Sequence, residues 1–272
     1  MKKLLWLFLF TLPTFAVGQS IVTLQLLDSL TKQPVAYANV GVPNKGVGTV
    51  SDDNGKVKLT VGDSLLTNSI KISCIGYASK TITVTQALGK NTLLLTSSAV
   101  KLNEVVVRPS KATKYKTLGN NTTSKNVSGG FKSNGLGAEI AVKINVKHQY
   151  TQLKKLQFYL VKNPINDLQF RVNLYTVAPN GKPDASILKQ LILTPKIMGN
   201  GLVELDLTPY KIYTNKDVFI ALEWIKDLGD VNDLMFSMKM INNSPSYARY
   251  ASQDDWHHIP VAGIGLSVDV EY

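Results

Sequence analysis

The stretch DSLTKQPVAYANVGVPNKGVGTVSDDNGKVKLTVGDSLLTNSIKISCIGY, Asp28 to Tyr77, decides the fold. Turn chemistry recurs in it every few residues. Pro34 fixes φ and lacks the N–H that a central ladder needs. Pro43-Asn44-Lys45-Gly46 and Asp52-Asp53-Asn54-Gly55 contain residues that tolerate positive φ. The runs between the turns are short and β-prone. Val35 to Val42 alternates, Val47 to Val50 is a brief apolar run, and Lys56 to Val61 puts Val57, Leu59 and Val61 on one face. Ile21 to Leu27 precedes the stretch; Ser69 to Ile75, Lys80 to Thr85 and Thr92 to Leu95 carry the pattern onward. Short, evenly spaced strands without a helical period predict an antiparallel β-sandwich over residues 19–108.

The order of the motifs narrows this further. Lys32-Gln33-Pro34-Val35 stands before Ala38-Asn39-Val40, and Gly48-Thr49-Val50-Ser51-Asp52 before Asn54-Gly55; Ile75-Gly76-Tyr77 and Leu102-Asn103-Glu104-Val105-Val106-Val107 come after them. This series resembles the carboxypeptidase regulatory-like domain, a small transthyretin-like β-sandwich. That module is found at the N-terminus of TonB-dependent outer-membrane receptors and of other exported Gram-negative proteins. The resemblance implies a fold and an envelope setting, and no peptidase activity despite the name. In the receptors it precedes a plug and a barrel. The chain beyond Val107 shows no plug-like pattern and is too short for that barrel, so a transport role is not expected.

Residues 1–18 read as a signal peptide. Lys2 and Lys3 form a positive n-region, Leu4 to Leu12 an apolar h-region, and Ala16-Val17-Gly18 a small-residue site with cleavage before Gln19. The apolar run is too short to span a bilayer core of about 30 Å, so no transmembrane span is expected in the mature chain. No Cys follows the cleavage site to carry a lipid anchor. The chain is therefore expected in the periplasm or at the outer-membrane or cell surface. Its formal charge of +11 could suit several anionic partners, and export points away from nucleic acid among them. Cys74, the single cysteine, has no intramolecular disulfide partner and reads as a small apolar filler of a strand.

Residues 109–136 change character. Pro109, Gly119-Asn120-Asn121, Ser128-Gly129-Gly130 and Asn134-Gly135 punctuate them, and between Glu104 and Glu139 there is no acid while Arg108, Lys111, Lys114, Lys116, Lys125 and Lys132 are present. Low hydrophobicity with charge of one sign predicts a basic linker, with contact to anionic lipid or polysaccharide as its functional reading. From 137 to 272 the strand signals lengthen: Ala138 to Val146, Leu153 to Val161, Leu168 to Val177, Ile187 to Leu193, Leu202 to Leu207, Val218 to Ile225, Leu234 to Ile241 and Ile264 to Val270. Some eight strands with long crossing loops predict a jelly-roll-like sandwich. The fold class expected is all-β: two β-sandwich domains after a signal peptide.

Catalytic motifs are missing. There is no G-x-S-x-G, P-loop or H-E-x-x-H. His148, His257 and His258 are the three histidines, and no third His or Cys lies at ligand spacing, so neither a metal nor another cofactor is expected. Asp52-Asp53-Asn54 lacks the oxygen donors of a calcium loop and reads as a turn. The non-random cluster is Tyr247, Tyr250, Asp254, Asp255, Trp256, His257 and His258. Aromatic rings beside hydrogen-bonding groups suit a sugar; the competing reading has Trp256 plugging the end of the sandwich while polar neighbours form the loop. The expectation is a non-catalytic cell-envelope protein, a binding or structural accessory for an envelope glycan or another envelope protein. The alternative is a polysaccharide hydrolase using the loop carboxylates Asp254, Asp255, Asp227, Asp230 and Asp233, since glycoside hydrolysis needs two acids across a cleft.

Overall fold

The structure, a computed structural model, describes residues 18–98, 114–131, 135–227, 229, 233–240 and 244–272. The signal peptide (except Gly18) and the Leu102–Val107 motif lie outside the described residues.

Among the described residues the first domain is a sandwich of seven strands. β1 (Gln19–Asp28) sits between β4 (Lys56–Gly62), antiparallel, and β7 (Thr92–Leu95), parallel. The facing sheet has the order β3 (Val47–Val50), β2 (Asn39–Val42), β5 (Ser69–Ser73) and β6 (Lys80–Thr83). Alternation puts Val22, Leu24 and Leu26 of β1 and Val57, Leu59 and Val61 of β4 against Val40, Val42, Ile70 and Ile72. The Asp52 turn forms as the residues dictate: its carboxylate accepts the N–H groups of Asn54 and Lys56, and Gly55 takes φ +73°. Three details depart from the sequence expectation. β7 runs parallel to β1 where the sequence predicts an antiparallel sandwich. Tyr37 adopts φ +57°, which breaks the run Val35 to Val42 so that β2 begins only at Asn39. Thr83 ends β6 and opens a short helix, α1 (Val84–Leu88). Its hydroxyl accepts the Gln86 N–H while the Gln86 side chain accepts the Thr83 N–H, a capping box.

The second domain stacks two larger sheets. One has the order β13 (Pro183–Ser186), β12 (Phe170–Val177), β16 (Val218–Trp224), β10 (Glu139–Ile144), β18 (Ser246–Arg249) and β19 (His257–Ile259). The other runs β20 (Gly263–Ile264), β17 (Leu234–Lys239), β11 (Thr151–Lys162), β21 (Leu266–Glu271) and β8 (Tyr115–Gly119). β14 (Gly201–Asp206) and β15 (Tyr213–Thr214) pair with β11, and β9 (Ser128–Phe131) with β17. Phe131, Phe158, Phe170, Trp224 and Phe236 pack between the sheets, with ring centroids 5.4 to 6.5 Å apart.

The basic linker is where expectation and structure part. Tyr115–Gly119 and Ser128–Phe131 are strands of the second sandwich, pairing with β21 and β17. A ladder is made by the backbone, so an edge strand needs few apolar residues; Leu118 and Phe131 reach the core while Lys116 and Gly129 do not disturb it. Ile187 to Leu193 is not a regular strand either. The regular segment is β13, and the chain then crosses beside β12 with Ile192 buried and its carbonyl accepting the Val172 N–H.

Candidate functional site

The outer face of the six-stranded sheet carries a cluster of buried polar and charged side chains. Register explains it. Arg171 on β12 is directly opposite Glu223 on β16, Glu223 opposite Glu139 on β10, and Glu139 opposite Arg249 on β18. Alternation along each strand points all four to the face turned away from the aromatic core. A plus–minus–minus–plus row therefore crosses four strands, and each member is buried.

Its hydrogen bonds interlock. Arg171 donates from Nε (2.8 Å) and Nη2 (2.5 Å) to Glu223 Oε2. Arg249 Nη2 lies 2.6 Å from Glu139 Oε2. One row on, the Asn173 amide donates to Glu139 Oε1 and, at 2.6 Å, to Glu223 Oε2. The Tyr175 hydroxyl donates to Glu139 Oε1 at 2.9 Å and accepts from Arg249 at 3.2 Å. Among the described residues Glu223 Oε1 and Arg249 Nε have no hydrogen-bond partner. Burial pushes the Glu139 carboxyl above the usual carboxylate range, with Arg249 opposing and Glu223 adding to the rise. Burial, only partly offset by Arg249, likewise holds the Tyr175 phenol well above its ordinary value.

The row is also the joint between the domains. Arg171 donates from Nη1 to the Tyr37 carbonyl and from Nη2 to Asn39 Oδ1 at 2.6 Å, so one guanidinium ties β12 to the first domain. Segment 250–256 closes the contact. Ser252 Oγ bonds Asn39 Oδ1 (3.2 Å), Gln253 Nε2 donates to Ser73 Oγ (2.8 Å), and the Gln253 carbonyl accepts the Asn44 N–H (3.1 Å). The Gly46 N–H donates to Asp254 Oδ1 at 3.0 Å. The approach is close enough to exclude side chains: a Cβ at Gly41 would fall 2.3 Å from the Ser252 carbonyl oxygen, and one at Gly48 2.1 Å from it. A polar cavity of about 260 Å³ remains beside Arg171, lined by Asn39, Ser73, Cys74, Asn173 and Tyr175. Burial raises the Cys74 thiol, and its Sγ faces the Ala36 carbonyl.

The seven residues singled out in the sequence lie close in the chain and divide in space. Tyr247 and Trp256 turn inward, 9% and 8% exposed, and join Ala141, Tyr175, Phe219 and Ala221 in a small core on the outer face. Trp256 packs edge-on to Tyr175 at 5.6 Å and receives the Arg249 guanidinium over its ring at 5.0 Å. Asp254 is drawn into the domain joint, with His257 Nε2 at 3.9 Å from its other oxygen. Tyr250, 68% exposed, lies tilted against His257 at 5.3 Å; Asp255 and His258 are exposed beside them. The exposed set is thus Tyr250, Asp255, His257 and His258. Of the other loop acids, Asp233 pairs with Lys162 at 3.1 Å, and Asp230 lies outside the described residues.

The charged row is not evident from the sequence. Its signal is present there as single charges inside apolar strands: Arg171 in FRVNLY, Glu223 in IALEW, Glu139 in AEIAV and Arg249 in SYARY. Pairing them needs the register, which no single strand reveals.

Comparison with known proteins agrees with the first domain. The family model described as the CarboxypepD_reg-like domain matches residues 25–107. No curated protein matches the chain. Among solved structures, the cysteine protease and lectin-like domains of Cwp84, a surface layer associated protein of Clostridium difficile, align with 10% identity and a TM-score of 0.44. That alignment covers 87% of this chain and 59% of the other, so the chain spans less than two thirds of that solved chain. A structure of infectious bursal disease virus, Gx strain, aligns with 10% identity over 93% of this chain and 63% of that one, at a TM-score of 0.30. BcpA, the major pilin subunit of Bacillus cereus, aligns with 11% identity over 91% of this chain and 69% of that one, at 0.20.

Proposed function

We propose that this chain, whose residues 25–107 form a CarboxypepD_reg-like domain, is an exported, non-catalytic accessory of the cell envelope. Its first domain holds the second at a fixed angle, and the second presents a rim to an envelope glycan. The observation that carries the reading is how the acids and bases are used. The most buried carboxylates, Glu139 and Glu223, are bound by arginine, asparagine and tyrosine, and Asp254 is a hydrogen-bond acceptor in the domain joint. Groups committed to structural partners are poor acids and bases. The exposed Tyr250 ring beside His257 and Asp255 offers instead an aromatic face with polar neighbours, the arrangement that holds a sugar ring without reacting with it. Export rests on the charged and apolar segments before Gln19, and placement in the periplasm or on the outer surface rests on export. Among the described residues no helix is long and apolar enough to cross a membrane.

The test is an envelope-glycan array probed with the mature chain and with its Tyr250→Ala variant, beside a pull-down from envelope fractions. Binding lost in Tyr250→Ala supports the reading. Polysaccharide cleavage that disappears in Asp254→Asn or Asp255→Asn would overturn it.

A further inference from the structure

The geometry points to a second ligand site in the second domain, a cleft for an acidic saccharide, separate from the Tyr250 rim. The cleft, about 680 Å³, opens where the β10–β11 connection (145–150), the start of β16 and the ends of β8 and β21 meet. Its volume lies within the range of about 300–1,000 Å³ common for small-molecule sites. Leu118 and Val270 form an apolar floor.

The walls are basic. β8 pairs Lys116 with Val270, which puts the Lys116 side chain on the core side of the edge strand, at the mouth of the sandwich. Lys147 and His148 stand across from it on the connecting loop. The single side-chain carboxylate in the lining, Asp217, is already occupied. It pairs with Lys143 at 2.8 Å and accepts the Val146 N–H at 2.9 Å. Among the described residues no carboxylate side chain pairs with Lys116 or Lys147. Two exposed ammonium groups, set against the one main-chain carboxylate that Tyr272 carries as the last residue of this sequence, leave the cleft with a net positive charge that attracts anions. The ring of His148 stacks on that of Tyr272, centroids 3.9 Å apart and 6° from parallel. The stack leaves an outer ring face, which suits the C–H face of a sugar, and edges that carry polar atoms. Cations for the acid group, a platform for the ring and an apolar floor together select a saccharide bearing carboxylate or phosphate.

Titration calorimetry of the mature chain tests this with trigalacturonate and glucose 6-phosphate as acidic probes, maltotriose as the neutral one and inorganic phosphate as the bare anion. At least one acidic sugar should bind and weaken with added salt, and maltotriose and phosphate should bind far more weakly. The variant carrying Lys116→Gln and Lys147→Gln should bind it about tenfold more weakly, a loss near 1.4 kcal/mol. Y250A should bind it as the parent does, which separates this site from the rim. No binding of either acidic sugar, equal binding of maltotriose, or equal binding of phosphate alone would overturn the proposal. So would unchanged affinity in the double lysine variant, or loss of affinity in Y250A alone. Should the lysine variant melt below the parent, the salt dependence and the probe ranking on the unaltered chain decide.

Discussion

Replacing Arg171 by Met removes one guanidinium and keeps most of the side-chain volume. In the native row two guanidinium groups face two carboxylates, and the buried charge sums to zero. Without Arg171, Glu139 and Glu223 share Arg249 alone, and Glu223 keeps only the Asn173 amide. Breaking a buried pair by removing one partner costs about 3–5 kcal/mol, because the surviving charge stays desolvated. At about 2–4 °C per kcal/mol for domains of this size, the melting temperature should fall by roughly 6–20 °C. The cost should also depend on pH. Glu139 already titrates above the usual carboxylate range, and losing a neighbouring cation raises it further. In that window the folded protein holds a proton that the unfolded chain has released, so stability falls as pH rises through the folded value. The variant should therefore suffer less at pH 5 than at pH 8.

The assay is denaturant unfolding followed by tryptophan emission. The mature chain has two tryptophans, Trp224 and Trp256, both in the second domain, so the signal follows that domain and, through Trp256, its joint with the first. The decisive comparison adds Glu223→Gln to Arg171→Met. The double variant leaves Glu139 and Arg249 as a neutral pair and should recover most of the loss. If Arg171→Met costs less than about 1 kcal/mol at pH 8, or the double variant is no more stable than the single, charge balance is not what holds this face together.

Three further outcomes rest on the same contacts. Trp256→Ala opens a cavity beneath the joint and removes the ring under the Arg249 guanidinium, for a loss of about 3–5 kcal/mol in unfolding free energy; a loss below about 1 kcal/mol would mean segment 250–256 is not packed as described. Gly48→Val drives a side chain into the Ser252 backbone. Acrylamide should then quench Trp256 more readily while the first domain keeps its far-ultraviolet dichroism, and unchanged quenching would refute the close approach. The Asp28 carboxylate accepts the Thr31 and Leu30 N–H groups, both at 2.8 Å, and these bonds hold its pKa below the ordinary value. Its stabilisation is complete above the unfolded value and lost as pH falls through the folded one. Circular dichroism of Asp28→Asn between pH 5 and 2 should show a shallower acid limb than the parent, and an identical limb would exclude this contribution.

Much of the first domain was legible because its turns are local. The Asp52 turn and the alternation of Val57, Leu59 and Val61 need nothing beyond their own neighbours. Tyr37 shows the limit: its positive φ comes with a phenol hydrogen-bonded to Asp53 and a carbonyl turned to Arg171, and both partners are distant in sequence. The segment 114–131 was hidden for a related reason. Its strands are fixed by backbone pairing with β17 and β21, more than a hundred residues away, so its polar composition mimicked a linker. The rim cluster was visible as composition, yet its division into buried Tyr247 and Trp256 and exposed Tyr250 depends on what covers the sheet.

The covering domain also explains why the charges are there. A sheet in a sandwich ordinarily buries one face and leaves the other to water. Here the second face carries Ala141, Phe219, Ala221, Tyr247 and Trp256 beside the charged row, a surface neither fully apolar nor soluble by itself. An apolar patch would stick to any apolar surface, whereas a row ending in the Arg171 donors accepts only a partner that supplies matching acceptors at fixed positions. The Tyr37 carbonyl and Asn39 Oδ1 are those acceptors, and Asn39 lies within the residues that match the CarboxypepD_reg-like domain. Removing that domain would leave Arg171 with donors facing solvent and the small outer core half uncovered. The two sandwiches are therefore better understood as one jointed body than as independent modules on a tether, and the orientation of the rim and of the basic cleft is set by the joint.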